Sequence, residues 1–345
     1  MSKPKLLWAT LVLLSLVFLT ILLYKQVYVY LFGAYPFVRM NNLQYSNDTI
    51  ISFKNGRLYA DYGKLLNLSY QKVPVLTPNY TYRFEVKGSS GTYFVAHINS
   101  AGFRGKDYTL VKPNNTIRIF LLGDSFTYGY GLDDNATLAY FLERMLTNLS
   151  NQRVYEVFNL GVPGYDTKDE IDVFFTKWIN YSPDVVILFY VPNDHIPSNV
   201  ERNVRFLLRE RFNLTQEEID DVMIKQFLTQ YNNYLLSRYS VNETLYRNVF
   251  PHIERLTNYT KVHNITFILF IFPQALKFEQ VIIDYCKKHQ LICINSKDFG
   301  YTYKSPWVLN KYDSHPSAYA NKRVAEYLAE FLKERNLLHP MQLIE

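Results

Sequence analysis

The chain has 345 residues, of which 48% are hydrophobic and 20% charged, so it holds enough apolar material for a full core and is not a disordered chain. Lys and Arg exceed Asp and Glu only by 37 to 31, with no basic stripe, which excludes nucleic acid as the natural partner. The two cysteines, Cys286 and Cys293, cannot form a disulfide scaffold, and no Cys or His pair has zinc-site spacing. This spacing predicts no structural metal. We also predict no other cofactor.

The first 24 residues are typical of a membrane anchor. Residues 6–23 carry no charge and would span about 27 Å as a helix, close to the thickness of a bilayer core. Lys3 and Lys5 precede this run and only Lys25 follows closely, which favours a cytoplasmic tail at residues 1–5 and an external remainder. We predict a single-pass anchor at residues 6–24, with a cleaved signal peptide as the alternative.

Asparagine sequons give an independent indication of export. Eleven N-x-S/T sequons occur, whereas random placement of 28 Asn and 38 Ser or Thr residues would give about three. We predict glycosylation at ten of them: Asn47, Asn67, Asn79, Asn114, Asn135, Asn148, Asn213, Asn242, Asn258 and Asn264. Asn180 is left out of this set, because its sequon Ser182 is followed by Pro183. Outside the cell, the two cysteines would either pair or remain as buried thiols.

Strand and helix patterns then alternate along the chain. Residues 41–100 are predicted to form a small β-rich segment, because strand-like runs flank Asn55-Gly56, a strong hairpin signal. From residue 116 onward, short apolar runs alternate with amphipathic helices. The runs cover residues 117–122, 154–160, 185–191, 265–272 and 291–294. This alternation predicts a parallel sheet with helices on both faces.

Two capping patterns mark predicted helix starts. Residues 167–170 and 215–218 each have the form of a capping box ahead of apolar residues at helical spacing. The second box lies in an insertion, residues 194–264, that is far longer than one crossover needs. We predict that the insertion is helical and forms either an extra layer on the sheet or a lid over a site.

Polar clusters follow the predicted strands where each strand ends. Ser125 comes after a Gly-Asp pair behind the first run, Gly161 and Asn193 follow the next two runs, and His315 precedes the last helix. Because the carboxyl ends of parallel strands meet at one edge, we expect these residues to lie together. Ser125 would supply a nucleophile and His315 a base. The N–H groups of Ser125 and Gly161 and the Asn193 amide would form an oxyanion hole.

These blocks resemble the SGNH, or GDSL-type, serine hydrolases, whose signature blocks contribute Ser, Gly, Asn and His in that order. The segments at residues 98–105 and 313–317 add flanking matches, and the resemblance covers residues 95–335. It implies a three-layer α/β/α domain at residues 101–335, of the flavodoxin-like SGNH hydrolase fold with a five-stranded parallel sheet, before a tail at 336–345. It also implies an esterase in which Asp313 orients His315.

Two departures from the family pattern affect the site. The third block is usually Gly-x-Asn-Asp, but Val191 stands where the glycine is expected. The last block is commonly Asp-x-x-His, whereas here Tyr312 stands at that distance and Asp313 lies two residues before His315. A Ser-His pair assisted by a backbone carbonyl is therefore the alternative to a full triad.

The sequence thus predicts an extracytoplasmic, membrane-anchored serine esterase that hydrolyses an acyl ester of a glycan or lipid. Acyl transfer to a surface glycan would use the same residues. A catalytically silent glycan-binding protein on this scaffold is a further alternative, in which the 30 tyrosines would serve as sugar-stacking platforms.

Overall fold

The computed structural model describes residues 51–54, 57–60, 73, 75–86, 91–149, 153–212, 219 and 221–338. The predicted anchor, the Asn55-Gly56 turn and the capping box at residues 215–218 lie outside these residues. Within the described ranges, no helix has the length and apolar character needed to cross a bilayer. The chain forms two compact units, residues 1–71 with 199–237, and residues 72–198 with 238–345.

The described residues contain eleven β-strands and nine α-helices. The strands are β1 (Ile51–Lys54), β2 (Arg57–Ala60), β3 (Tyr80–Glu85), β4 (Tyr93–Ile98), β5 (Thr116–Leu122), β6 (Val154–Asn159), β7 (Val185–Tyr190), β8 (Thr266–Ile271), β9 (Ile292–Asn295), β10 (Val308–Asn310) and β11 (Asp313–Pro316). The helices are α1 (Ser125–Tyr128), α2 (Leu138–Leu149), α3 (Thr167–Val173), α4 (Ser198–Phe212), α5 (Asp221–Arg238), α6 (Val241–Asn248), α7 (Phe250–Val262), α8 (Leu276–His289) and α9 (Ala318–Glu334).

The first unit contains the β1–β2 hairpin and most of α4 and α5. The two strands pair antiparallel, in agreement with the predicted hairpin. Both helices bury apolar side chains, among them Val204 and Leu208 on α4 and Phe227 and Leu235 on α5. These helices belong to the predicted insertion at residues 194–264, which is helical in its described residues and also includes α6 and α7. Its role as an extra layer or a lid stays a prediction.

The second unit is built on a parallel sheet with the strand order β6-β5-β7-β8-β9. Each strand begins and ends within one residue of a predicted apolar run. Strand β5 is central to the site because it pairs with both β6 and β7, with Leu121 opposite Asn159 and Leu122 opposite Leu188. The carboxyl ends of these three strands therefore lie side by side.

Helices cover both faces of this sheet, which confirms the predicted three-layer α/β/α fold. Alternate residues of β5 point to opposite faces. Ile119 and Leu121 pack in one apolar cluster with residues of α2 and α9, and Phe120 and Leu122 pack in another with residues of α3, α7 and α8. Buried apolar residues on both faces explain why the strands have continuous rather than alternating hydrophobic sequences.

The sequence predicts Thr167 as the N-cap of α3, and this prediction is wrong by one residue. Asp166 is the N-cap of α3, because its Oδ1 accepts the N–H of Asp169 at 2.9 Å, and Thr167 is the first helical residue. Asp caps a helix at least as well as Thr, so the preceding residue takes the position.

Cys286 and Cys293 form a disulfide that joins the end of α8 to β9. The two cysteines therefore pair with each other and do not remain as buried thiols. The bond lies in the layer on the α3, α7 and α8 face of the sheet.

Candidate active site

Strand β5 leads directly into a tight turn that presents Ser125. Ser125 is the first residue of α1, and Asp124 is its N-cap, accepting the Phe126 N–H at 2.8 Å. A Cβ atom on Gly123 would lie only 2.0 Å from Thr127 Oγ1, so this close approach requires glycine. The turn leaves Ser125 partly exposed at the carboxyl edge of the sheet.

His315 and Asp313 approach Ser125 from β11. His315 Nε2 lies 2.9 Å from Ser125 Oγ, and its Nδ1 lies 2.5 Å from Asp313 Oδ1. The ring centroids of Phe126 and Tyr130 are 5.4 and 5.0 Å from that of the imidazole. A hydroxyl, a carboxylate and two aromatic rings therefore fix the imidazole in the arrangement of a Ser-His-Asp triad.

The strand explains how Asp313 reaches His315 from only two residues away. Side chains at positions i and i+2 of a β-strand point to the same face. Asp313 is buried and also accepts the His315 N–H at 3.1 Å, whereas Tyr312, at the distance usual for the family's acid, is 60% exposed. A carboxylate rather than a backbone carbonyl thus holds the imidazole Nδ1.

Gly161 and Asn193 adjoin the same turn in different ways. A Cβ atom on Gly161 would lie 2.2 Å from the backbone nitrogen of Tyr128, so the two chain segments are in direct backbone contact. The Gly161 N–H donates to Asn159 Oδ1 at 3.2 Å. The exposed Asn193 side chain donates a hydrogen bond to the Asp124 carboxylate. Burial raises the pKa of Asp124, and this hydrogen bond acts in the opposite direction. The structure therefore brings all four predicted blocks together.

Arg104 supports the end of helix α1, a role that the sequence did not predict. It is 2% exposed, and its Nη1 donates to the carbonyl oxygens of Tyr128 and Gly129 at 3.0 and 2.8 Å. Its Nε pairs with Asp134 at 2.8 Å. Because the last carbonyls of a helix lack partners within the helix, these bonds stabilise α1. The sequence indicated Arg104 only through its position in residues 98–105, a segment that resembles the family. This position does not show which carbonyl groups the side chain contacts.

Several carboxyl groups are buried behind the turn that carries Ser125. Asp124, Asp166, Glu170 and Asp194 are each at most 6% exposed. Burial raises the pKa of each, and neighbouring carboxyls raise those of Glu170 and Asp194 further, to well above the usual values. Neither Glu170 oxygen has a hydrogen-bond partner among the described residues. Burial therefore favours the neutral form of Glu170, because an unpaired buried carboxylate is strongly disfavoured.

Asp194 connects this buried cluster to the loop that carries Asn193. Its Oδ2 accepts the Val191 N–H at 2.9 Å, and its own N–H donates to the Val191 carbonyl at 3.2 Å. These two bonds close the turn around Asn193. In the described part of the chain, no group of three or more His, Cys, Asp or Glu side chains has the geometry of a metal site.

The fold and the site together define the class of protein. A parallel sheet with a serine at its carboxyl edge, and a histidine and an aspartate brought to that serine by β11, is the framework of an α/β serine hydrolase. The chain matches the model of the GDSL-like lipase/acylhydrolase family over residues 119–328, more than half of its length, and belongs to that family. It is a carboxylic ester hydrolase.

Solved structures with similarity to the chain include three esterases or lipases. The esterase EstA from Pseudoalteromonas sp. is 13% identical, with 65% of this chain and 99% of that chain covered and a TM-score of 0.43. The lipase/acylhydrolase from Enterococcus faecalis is 15% identical, with 66% and 99% covered and a TM-score of 0.40. A two-domain esterase active on acetylated mannans is 14% identical, with 64% of this chain and 49% of that chain covered and a TM-score of 0.40. No curated protein matches the chain in sequence.

The contact between Gly161 and the Tyr128 backbone is testable by adding one methyl group. In Gly161→Ala, the Cβ atom would displace α1 and with it Ser125, so we expect kcat/KM for p-nitrophenyl acetate to fall by at least about a hundredfold. Gly164→Asn is the control, because no atom lies within 4 Å of a Cβ there and Asn tolerates its positive φ of 82°. Equal activity of Gly161→Ala and the native protein would contradict the proposed packing.

The buried acid at Glu170 is testable by the pH dependence of stability. The folded protein keeps this proton at pH values above 4.5, where the unfolded chain loses it, so the free energy of unfolding falls as the pH rises. Glu170→Gln stays neutral, so between pH 5 and 8 its free energy of unfolding should fall by at least about 1 kcal/mol less than that of the native protein. Urea unfolding at each pH measures this. Glu330→Gln, on the exposed surface of α9, should follow the native profile; parallel profiles for all three proteins would refute a neutral Glu170.

Proposed function

We propose that the chain is an exported serine esterase that works through an acyl-enzyme. Ser125 Oγ attacks the ester carbonyl carbon while its proton passes to His315 Nε2, 2.9 Å away. The imidazolium then gives this proton to the leaving alcohol, and the acyl group stays on Ser125. Water attacks the acyl-enzyme with His315 again acting as base, which releases the acid and restores Ser125. The Ser125–His315 hydrogen bond is the observation that carries this proposal.

Asp313 and the oxyanion donors complete the proposed mechanism. The Asp313 carboxylate, 2.5 Å from His315 Nδ1, stabilises the imidazolium and keeps Nε2 directed at Ser125. The Ser125 N–H and the Asn193 amide would donate to the oxyanion. The Gly161 N–H, the third donor in our proposal, already bonds to Asn159 and would be shared between two acceptors.

Three observations support an exported, anchored protein that acts on an ester of a glycan or lipid. All seven predicted glycosylation asparagines among the described residues are exposed, while Asn47, Asn67 and Asn213 lie outside them. The Cys286–Cys293 disulfide is typical of an oxidising compartment. The uncharged run at residues 6–23 has the length of a membrane anchor. Esters at a cell surface include acylated glycans and lipids.

The mechanism is tested by single substitutions in the full chain. Ser125→Ala and His315→Ala should each lower kcat for p-nitrophenyl acetate by at least about a thousandfold, and Asp313→Asn by a similar factor because it favours the wrong imidazole tautomer. Thermal unfolding should show that each variant is folded.

Ser314→Ala is the matched control, because Ser314 is an exposed serine between the two triad residues of β11. Its kcat should equal that of the native chain. Undiminished turnover in folded Ser125→Ala would refute the acyl-enzyme mechanism.

A further inference from the structure

A cavity of about 440 Å³ lies apart from the catalytic residues. Residues of β4, β6 and α2 and of the segments around Lys106 and Asp134 line it, and Ser125, Asp313 and His315 are not among them. Its volume falls within the range of about 300–1,000 Å³ that is typical of small-molecule sites. The catalytic mechanism makes no use of this cavity.

The basic and acidic side chains of the cavity wall are paired with one another. Lys106 Nζ lies 2.6 Å from Glu143 Oε1, and His97 Nδ1 lies 2.6 Å from Asp134 Oδ2. Asp134 Oδ1 also accepts from the buried Arg104 at 2.8 Å. Most of the cavity surface is nevertheless apolar, and the Lys106 and Arg104 cations already have carboxylate partners.

Two tyrosines and an apolar base complete the lining. Tyr108 donates to Glu143, and burial together with this carboxylate raises its pKa well above the usual value, so its hydroxyl stays protonated. Tyr140 is 36% exposed and accepts from Arg144 Nη1 at 2.7 Å, which fixes its ring. Ala139 and Val157 contribute buried apolar surface. Amphipathic rings beside an apolar surface suit a ligand that has both hydroxyl groups and C–H faces.

The chemistry of the wall selects the class of ligand. An anion would have to compete with Glu143 for Lys106 or with Asp134 for Arg104, and both carboxylates would repel it. A purely apolar ligand would desolvate Lys106 and His97, whose side chains are 62% and 61% exposed. A neutral polyhydroxylated ring avoids both the repulsion and the desolvation, because its hydroxyls can bond to the paired side chains without separating them.

We propose that this cavity is a carbohydrate-binding site for one or two neutral sugar units of a glycan. A sugar of this kind has two sources. One is a glycan on another molecule. The other is a glycan attached to the chain's own Asn135, which lines the cavity and begins an N-x-T sequon. The proposal is independent of ester hydrolysis, because binding is measured in a variant without the Ser125 hydroxyl.

Titration calorimetry of the full-chain Ser125→Ala variant, made in a host without N-glycosylation, tests the site. The probes are the neutral trisaccharides chitotriose, mannotriose and cellotriose and the anionic trigalacturonate. We expect at least one neutral trisaccharide to bind, with trigalacturonate weaker. Adding Tyr140→Ala or Lys106→Ala should raise Kd by about tenfold. Tyr246→Ala, a 43% exposed tyrosine on α6 outside the cavity, should leave Kd unchanged.

The same titration distinguishes the two sources of sugar. In Ser125→Ala protein from a glycosylating host, a glycan on Asn135 that occupies the cavity should weaken trisaccharide binding, and adding Asn135→Gln should restore it. Unchanged binding would assign the site to a glycan on another molecule. The proposal is overturned if no neutral trisaccharide binds, if trigalacturonate binds more tightly, or if both cavity variants bind as the Ser125→Ala parent does.

Discussion

The hydrogen bond between Ser125 Oγ and His315 Nε2 joins residues that are 190 positions apart in the chain. It forms because β5 ends at the carboxyl edge of a parallel sheet and β11 brings the imidazole to the same edge. The parallel pairing of β5 with β6 and β7 then adds the Gly161 and Asn193 loops. A change in the register of any of these strands would move its loop relative to the hydroxyl, so the sheet register determines whether the site exists at all.

Several polar and charged side chains are buried behind this edge. Buried Arg104 satisfies the carbonyls at the end of α1, and the Asp194 carboxyl closes the turn around Asn193. Burial favours the neutral form of Glu170. Apolar side chains would fill the same space with less desolvation, but they offer no hydrogen bonds to backbone groups that lie outside helices and strands. The polar interior thus holds irregular backbone in the geometry that the catalytic groups need.

Much of this arrangement follows from local sequence patterns. The five strands are predictable because their apolar runs are continuous and bounded by polar residues, and the meeting of Ser125 and His315 follows from parallel topology. The N-cap of α3 is misassigned because Asp166 and Thr167 are both good caps and only the backbone geometry decides between them. The buried carboxyls behind the turn could not be predicted, since Asp and Glu are usually exposed and their neighbours come from three separate chain segments.

The cavity beside α2 shows the same limit of sequence patterns. Lys106, Tyr108 and Glu143 have ordinary spacing and no motif, and their pairing becomes evident only when the segment before β5 packs on α2. By contrast, Asp313 and His315 are close in sequence, and the periodicity of a single strand is enough to bring them together.

Covalent labelling tests most directly whether the distant segments meet as described. The full chain is treated with a fluorophosphonate, which reacts with activated serine hydroxyls, and the modified peptide is located by mass spectrometry. The expected result is one adduct on Ser125 that is absent from His315→Ala. Labelling of a different serine, or equal labelling of Ser125 with and without His315, would contradict the account.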